Sequence, residues 1–377
     1  MSGRNQRKAW GLTGTAGASG LAGLAGFAGL GWMKKRSTPV FLCALLLVVG
    51  AFVWWLNIPL VEDIFTISTV TLIMVLGFQL FMGNSGILNW SYVGYVGIGA
   101  FASAIFSMTP QLKSTQIPVM YPFLIDIHMP FWLALIAGGL VAGLIAAIVA
   151  WPLMRLSDAV GAITQFALLI VINVLLSQWQ QVTNGPRTFT LGGTRLTTLW
   201  LALGVALIII VAVYAFKESS LGLRLRASRD DRYAAYSSGI NMIAVRYFGY
   251  IISAIIGGIA GGLYSHYILS ITASSFYMGE LFVILSMVVI GGSMSVSGAF
   301  FGTVLVTVCQ QVLRQAELLL TRSGTDVSGT TEIVLAIMMI LFLIWRPSGI
   351  TGGGELSVAS IRRRFARKKT EKNVDSS

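Results

Sequence analysis

Residues 199–216 read LWLALGVALIIIVAVYAF and carry no charge. Shortly afterwards, residues 221–247 read LGLRLRASRDDRYAAYSSGINMIAVRY and hold five arginines and two adjacent aspartates. The chain then returns to an uncharged apolar run at residues 248–264. Because a helix of roughly 20 apolar residues is long enough to cross a bilayer, this pattern predicts a compact charged segment between two membrane spans.

The composition indicates a polytopic α-helical membrane protein. Of the 377 residues, 55% are hydrophobic and 11% are charged, whereas soluble domains carry about 25% charged residues. The apolar runs are long and continuous, which argues against the alternating segments of about ten residues that are typical of a β-barrel. We predict ten spans, which lie near residues 39–59, 64–82, 91–108, 130–154, 159–178, 197–216, 247–268, 279–292, 297–313 and 330–346.

The basic residues predict an orientation in the bacterial inner membrane. With the N-terminus inside, only five of the 26 lysines and arginines fall in outer loops, which agrees with the positive-inside rule. Both termini and the loop 217–246 are therefore expected in the cytoplasm. The net charge of +12 then reflects topology and contact with lipid head groups rather than a nucleic-acid partner.

Three regions follow from this arrangement. Residues 1–36 are predicted to be a flexible, basic, Gly/Ala-rich cytoplasmic extension. Residues 37–350 are predicted to be the transmembrane domain, and residues 351–377 a basic cytoplasmic tail.

The sequence offers no group for catalysis. Cys43 and Cys309 fall inside predicted spans, and His128 and His266 are far apart, so we expect no disulfide, no metal site and no cofactor. The chain also lacks a Walker A lysine loop. The spans hold no carboxylate near a midplane, which argues against an ion-coupled carrier. Backbone carbonyls of a broken helix can bind sodium without a sequence signature, so a self-contained carrier or channel stays an alternative.

Small polar residues inside the spans are candidates for a solute pathway. Residues 77–101 combine them with several glycines, and residues 291–306 repeat the pattern of a Gly/Ser break before a helix. Paired broken helices in two halves of a transporter indicate a pathway between them. The candidate pathway residues are Gln79, Asn84, Asn89, Ser91, Tyr92, Gln165 and Asn173. Helix packing is the alternative for these residues, and the favoured role for glycines such as Gly94, Gly97 and Gly99.

The charged loop predicts one short capped helix. Ser228 is the expected N-cap, and the helix is expected from Arg229 to Ser238 with Asp230 and Asp231 in its first turn. Gly239 suits the left-handed residue after its end, and Asn241 is expected to cap the next helix. Such a helix either lies on lipid or binds a cytoplasmic partner.

Several segments resemble the permeases of branched-chain amino acid type ABC importers. The charged loop and the following span carry GLRLRASRDDRYAAYSSGINMIAVRYFGYIISAIIGGIAGGLYSHY, residues 222–267. The other matching segments are GNSGILNWSYVGYVGIGAF, LMRLSDAVGAITQFAL, TNGP, SMVVIGGSMSVSGAFFGTVLV and WRPSGITGG. The loop matches the family pattern at Gly222, Arg226, Ala227, Asp230, Asp231, Ala234, Ala235, Gly239, Ile240 and Asn241. The resemblance covers about residues 60–355 and is to the second, LivM-like, permease subunit.

This resemblance implies a permease that works with a second permease subunit, cytoplasmic ATPase subunits that bind ATP, and an external solute-binding protein. It implies that the charged loop couples to the ATPase through Arg226, Asp230, Asp231, Ala234, Ala235, Gly239 and Asn241. Asn89, Trp90, Ser91 and Tyr92 replace the Ser–Leu–Gly–His run that is usual in the family, and Gln79 stands where asparagine is common. The resemblance implies a branched-chain or related amino acid as the solute, and because these replacements lie in the proposed pathway, urea, short amides or another small organic solute are the alternative.

Overall fold

The structure is a computed structural model that describes residues 19–192, 195–322, 329–346, 349–352 and 354–355. Its α-helices are α1 (Ser19–Leu56), α2 (Pro59–Ser85), α3 (Tyr92–Ser107), α4 (Pro110–Gln116), α5 (Pro122–Ile125), α6 (Phe131–Leu153), α7 (Asp158–Gln178), α8 (Gln180–Thr183), α9 (Leu199–Glu218), α10 (Ser220–Asp230), α11 (Arg232–Ser237), α12 (Met242–Ile268), α13 (Met278–Gly291), α14 (Val296–Arg322) and α15 (Thr330–Trp345). A 3-10 helix covers Ala273–Phe276. Two short strands, β1 (Phe189–Thr190) and β2 (Ser270–Ile271), pair antiparallel with Phe189 opposite Ile271.

The described helices confirm the prediction of an all-α polytopic membrane protein. Eight helices in the described part of the chain are long and apolar enough to cross a membrane. Two shorter apolar helices, Tyr92–Ser107 and Ile333–Phe342, lie at the predicted third and tenth spans. The largest boundary errors concern α1, which begins at Ser19 rather than near residue 39, and α14, which continues to Arg322 rather than ending near residue 313. These helices extend beyond the apolar runs that define the predicted spans, because backbone hydrogen bonds continue into the neighbouring sequence once a helix has started.

Local sequence explains where α2 begins and ends. Pro59 lies in its first turn, where the missing N–H of proline leaves no helical bond unmade. At the other end, Gly86 adopts φ +73° and its N–H donates to the carbonyl oxygen of Met82 at 2.9 Å. This is the left-handed C-terminal cap that glycine adopts without strain.

The centre of the bundle is formed by α3, α6 and α12, which approach closely through glycines. A Cβ atom on Gly99 of α3 would lie 2.2 Å from the Cα of Gly258 on α12, so the two backbones are in contact there. A Cβ atom on Gly261 would lie 2.0 Å from the carbonyl oxygen of Val96. Small residues allow this approach between membrane helices, and the predicted packing role of Gly99 is confirmed.

Residues Leu42–Leu356 form one compact unit. Of the predicted N-terminal extension, residues 1–18 lie outside the described residues, and α1 begins at Ser19. Most of the predicted basic tail, residues 356–377, also lies outside the described residues. Thr351 and Glu355, which fall in that predicted tail, contact the linker between α13 and α14. The other limits of these two regions stay predictions.

Candidate functional site

The charged segment, which we define as residues 217–246, forms two short helices rather than the single helix predicted for Arg229–Ser238. The N-cap of the first, α10, is Ser219, whose hydroxyl accepts the N–H of Gly222 at 3.2 Å. Ser228 is therefore not an N-cap. It lies inside α10, is 1% exposed, and donates its hydroxyl to the carbonyl oxygen of Leu225 at 2.7 Å. Asp230 ends α10 instead of beginning a helix.

Asp231 separates the two helices and caps the second. Its backbone is extended, with φ −150° and ψ 114°, which breaks the helix between α10 and α11. Its carboxylate accepts the N–H groups of Tyr233 at 2.8 Å and Ala234 at 3.0 Å. A side chain that accepts two of the unpaired N–H groups at a helix start is an effective N-cap. The prediction erred because either serine or aspartate can cap a helix, and local sequence does not choose between them.

The far end of α11 follows the sequence prediction. Gly239 adopts φ +75°, which only glycine tolerates easily, and its N–H donates to the carbonyl oxygen of Tyr236 at 3.0 Å. Asn241 then caps α12, because its side-chain oxygen accepts the N–H of Ala244 at 3.1 Å. Both local geometries are confirmed. Their role in coupling stays a prediction.

The helix α11 exposes two aromatic rings and buries one small residue. Tyr233 is 88% exposed and Tyr236 is 75% exposed, while Ala235 is 4% exposed and faces the protein. Ala234 is exposed beside them. Tyrosine is enriched at protein interfaces, and here both rings extend from a helix whose two ends are capped. The arrangement presents a small, defined surface to a binding partner.

Arginines of α10 attach the charged segment to the transmembrane helices. Arg226 donates to the backbone oxygen of Lys217 at 2.7 Å and lies 3.7 Å from the carboxylate of Glu218. Arg229 donates to the backbone oxygen of Gly83, at the end of α2, at 2.5 Å, and to the sulfur of Met294 at 2.9 Å. The sequence analysis did not single out Arg229, because nothing local distinguishes it from the other arginines of this segment.

Most polar residues predicted for the pathway bind neighbouring protein groups. Gln79 donates its amide to the carbonyl oxygen of Ser293 at 3.2 Å, and Asn84 donates to Leu80 of its own helix at 2.7 Å. The hydroxyl of Tyr92 donates to the carbonyl oxygen of Met74 at 2.7 Å. Gln79, Asn84 and Tyr92 are at most 1% exposed. These bonds place Tyr92 in the packed core.

Ser91 joins a chain of buried hydroxyl groups. Its hydroxyl donates to the side-chain oxygen of Asn89 at 3.1 Å and lies 2.5 Å from the hydroxyl of Tyr250. The hydroxyl of Tyr250 in turn lies 3.1 Å from that of Tyr95. These residues connect the loop before α3 with α3 and α12. The chain of hydrogen bonds fixes that loop against the two helices.

The two predicted polar residues of α7 differ in their surroundings. Gln165 is 1% exposed. Asn173 is half-buried and donates its amide to the carbonyl oxygen of Ala273 at 2.9 Å. Both side chains therefore face protein rather than lipid, as expected for polar residues along one face of a membrane helix.

Three atoms in buried side-chain amide groups lack a hydrogen-bond partner among the described residues. They are the side-chain oxygen of Gln79, the side-chain nitrogen of Asn89 and the side-chain oxygen of Gln165. Leaving a buried polar group without a partner costs about 1–3 kcal/mol, so such groups are uncommon unless they serve another purpose. These two acceptors and one donor are therefore available for further hydrogen bonds, and their role in a solute pathway stays a prediction.

An apolar cavity of about 370 Å³ lies between α3, α6 and α7. Phe101, Ile105, Val141, Ile145 and Leu176 are among the side chains that line it. Residues of the segment that includes α5, such as Tyr121 and Leu124, cover one end. Its lining can accommodate hydrocarbon groups but offers few hydrogen bonds.

Lys113 is a buried lysine in α4, a position that its local sequence did not predict. Its side chain is 0% exposed and donates to the backbone oxygens of Leu124, at 2.9 Å, and of Ile127. Burial lowers the pKa of Lys113, and the nearby carboxylate of Asp126 opposes that shift. The lysine thus joins α4 to the segment between α5 and α6.

We expect Lys113→Met to destabilise the folded protein by about 2 kcal/mol, because it leaves two partly buried carbonyl oxygens without their donor. Thermal unfolding of the purified protein in detergent measures this change. Arg187→Met, at an exposed basic residue, is the matched control and should leave the unfolding midpoint unchanged. Equal midpoints for the two variants would contradict a structural role for Lys113.

Comparison with known proteins gives a consistent result. The sequence model of a family described as "Branched-chain amino acid transport system / permease component" matches residues 60–343. The chain is 24% identical over 344 residues to the high-affinity branched-chain amino acid transport system permease protein LivM of Salmonella typhimurium, covering 82% of this chain and 74% of that protein. LivM of Escherichia coli gives the same identity and coverage. The nucleoside ABC transporter permease protein NupC of Lactococcus lactis is 28% identical over 56% of this chain and 68% of its own length. No solved structure matches.

Proposed function

Because the chain belongs to the family of branched-chain amino acid transport system permease components, we propose that it forms half of the transmembrane pathway of an ABC importer. The chain is a multi-pass membrane protein and an ABC transporter permease without catalytic activity of its own. In this proposal it pairs with a second permease subunit. Cytoplasmic ATPase subunits bind and hydrolyse ATP, and an external binding protein delivers the solute.

The observation that carries the proposal is the geometry of α11. Its caps, Asp231 at the start and Gly239 after the end, hold a short helix whose exposed side carries Tyr233 and Tyr236. Arg229 of the preceding helix, α10, binds the end of α2 and the α13–α14 linker. A partner that moved α11 would therefore also displace the transmembrane helices that contact α10. This supports a lever that transmits ATP-driven closure of the ATPase to the solute pathway.

The proposed orientation places the charged segment and both termini in the cytoplasm of a bacterial cell. It rests on the small share of lysine and arginine in the outer loops. The charged segment, the end of α2 and the α13–α14 linker are joined by Arg229. Placing these regions together on one side of the membrane is consistent with that orientation.

The proposed solute is a branched-chain or related amino acid. Two curated relatives carry that transport system in their names. The apolar cavity beside α7 can accept an alkyl side chain, and the three unpartnered amide atoms can bind polar groups. Because NupC is named as a nucleoside permease, nucleosides belong in any test, together with urea and short amides.

Reconstitution tests the whole proposal. The chain is placed in proteoliposomes with a second permease, ATPase subunits and a binding protein of the same organism, and uptake of leucine, uridine and urea is measured. We expect leucine uptake that requires ATP inside the liposomes and every subunit. Uptake by this chain alone, driven by an ion gradient, would instead identify a secondary carrier or channel. ATP-dependent uptake of uridine or urea alone would correct the solute.

Gln165→Leu separates a pathway role from a packing role. If the side-chain oxygen of Gln165 binds the passing solute, the maximal uptake rate should fall by roughly tenfold, the effect of losing about one hydrogen bond. The solute concentration for half-maximal uptake should stay constant, because the external protein sets it. The unfolding midpoint should not fall, because the variant removes a buried oxygen that has no partner among the described residues.

Asn84→Leu is the matched control, since the Asn84 amide donates within its own helix. It should lower the uptake rate much less than Gln165→Leu. Unchanged uptake with a raised midpoint in Gln165→Leu would favour packing over solute contact.

A further inference from the structure

Residues 349–352 and 354–355, here called the return segment, fold back onto the linker between α13 and α14. The N–H of Ile350 donates to the carbonyl oxygen of Ile290 at 2.9 Å, and the N–H of Thr351 donates to that of Gly291 at 3.3 Å. The hydroxyl of Thr351 lies 2.7 Å from that of Ser295. Gly349 fits against Gly292 so closely that a Cβ atom there would lie 2.6 Å from the backbone. The return segment is therefore built into the transmembrane unit.

The return segment ends with the carboxylate of Glu355 at the start of α14. One oxygen accepts the N–H of Val296 at 3.0 Å. The other accepts the N–H of Ser297 at 3.2 Å and its hydroxyl at 3.0 Å. A carboxylate at a helix N-terminus satisfies N–H groups that the helix leaves unpaired and interacts favourably with the helix dipole.

The same carboxylate also binds Lys217, the residue at the start of the charged segment. Lys217 is 5% exposed, and its ammonium group contacts Glu355 and donates to the carbonyl oxygen of Met294 at 2.8 Å. Burial alone would raise the pKa of Glu355, but the charge of Lys217 and the N–H donors lower it below its ordinary value. The surroundings of Glu355 therefore favour its carboxylate form, and removing either Glu355 or Lys217 leaves a buried group without its ion-pair partner.

Lys217 connects this ion pair to α10. Its backbone oxygen accepts the guanidinium of Arg226 at 2.7 Å. A continuous series of contacts thus runs from the start of α14, through Glu355 and Lys217, to the helix that precedes α11. Arg229 forms a second connection between α10 and the same linker, through Met294.

We propose that Glu355 is a positioning residue for coupling: through its ion pair with Lys217, the return segment holds the base of the charged segment against the α13–α14 linker. Movement of α10 and α11 is then transmitted to the start of α14 as well as to α2. This inference rests on the proposed coupling function of the charged segment. The ion pair itself can be tested without it.

The first experiment measures hydrogen exchange on the full chain in lipid nanodiscs. Glu355→Gln removes the charge that holds Lys217, and Lys217→Met removes the other partner while Glu355 can still cap α14. We expect both variants to accelerate amide exchange in residues 219–241 by roughly tenfold. Glu355→Asp, which keeps the charge, should restore most of the protection.

Ser297→Ala is the matched control, because it removes one bond to Glu355 but leaves Lys217 in place. It should leave exchange in residues 219–241 unchanged. If only Glu355→Gln altered exchange, and only around residues 291–299, Glu355 would be a helix cap without a link to the charged segment, and the proposal would be wrong. Faster exchange of residues 219–241 in Ser297→Ala would overturn it as well.

The second experiment uses the reconstituted importer and compares solute uptake with ATP hydrolysis. We expect Lys217→Met to lower the number of solute molecules moved per ATP by about fivefold to tenfold, with the complex still assembled. A normal number of solute molecules moved per ATP, together with accelerated amide exchange in residues 219–241, would show that the ion pair has a structural role only. If the wild-type complex itself moved no solute with ATP, the proposed function would fail, while the exchange experiment would still decide whether the ion pair exists.

Discussion

Replacing Gly261 with leucine should prevent the transmembrane unit from folding. A Cβ atom at this position would lie 2.0 Å from the carbonyl oxygen of Val96 and 2.9 Å from its carbonyl carbon. Both atoms belong to the backbone of α3, so no side-chain rotation can relieve the clash, and α3 and α12 would have to separate. Overpacking a core costs about 1–3 kcal/mol when side chains can shift, and we expect more than that here. The yield of monodisperse protein after size-exclusion chromatography should fall close to zero.

Gly204→Leu provides the control for this prediction. Gly204 lies on the exposed side of α9, and a Cβ atom there would meet nothing within 4 Å among the described atoms. The same substitution on this membrane-facing surface should leave the yield near that of the wild type. A similar loss of yield in both variants would indicate a general intolerance of leucine, and the close contact of α3 with α12 would not be the cause.

Replacing Asp231 with alanine should uncouple transport while leaving the folded membrane domain intact. The variant removes both hydrogen bonds that start α11, to the N–H groups of Tyr233 and Ala234. Loss of an N-cap costs about 1 kcal/mol, which is large for a helix of six residues. The surface that carries Tyr233 and Tyr236 would then lose its fixed geometry. We expect solute uptake by the reconstituted importer to fall roughly five- to tenfold, with normal insertion and purification.

Two further variants isolate the cap as the cause. Asp231→Asn keeps a side-chain oxygen and should retain most of the uptake, since asparagine is an equally good N-cap. Asp230→Ala removes the neighbouring carboxylate, which is 77% exposed, lies 4.0 Å from Arg229, and caps neither helix. If the cap is the cause, Asp230→Ala should lower uptake much less than Asp231→Ala, although the family resemblance also implies a coupling role for Asp230. Full uptake and normal ATPase stimulation in Asp231→Ala would reject α11 as the lever.

The sequence was most informative where physical rules act over short distances. Runs of apolar residues predicted the ten helices, because a bilayer demands a minimum length of uncharged helix. The local geometries of Gly239 and Asn241 were predicted correctly because each acts on a backbone group within four residues. The matched motifs of the charged segment indicated the family before any tertiary contact was known.

The predicted capping serine and the predicted start of the helix were wrong because several residues in this segment can act as an N-cap. Ser228 and Asp231 can both cap a helix, and Ser219 can start one earlier. The structure selects Ser219 and Asp231, since α10 packs on α12 and α2 with Ser228 buried at 1% exposure. A buried hydroxyl that bonds its own helix cannot at the same time begin another. Tertiary packing made that choice.

By itself, then, the sequence determined the membrane class, the positions of the apolar helices and the family, because these depend on composition, length and motifs along the chain. The tertiary structure alone decided which polar groups are satisfied and which basic residues are buried. Gln165 lacks a partner for its oxygen within the described part of the chain, whereas Ser91 and Tyr92 are hydrogen-bonded. Lys217 and Glu355 meet although 138 residues separate them. Such contacts depend on how distant helices pack, and spacing along the chain does not encode them.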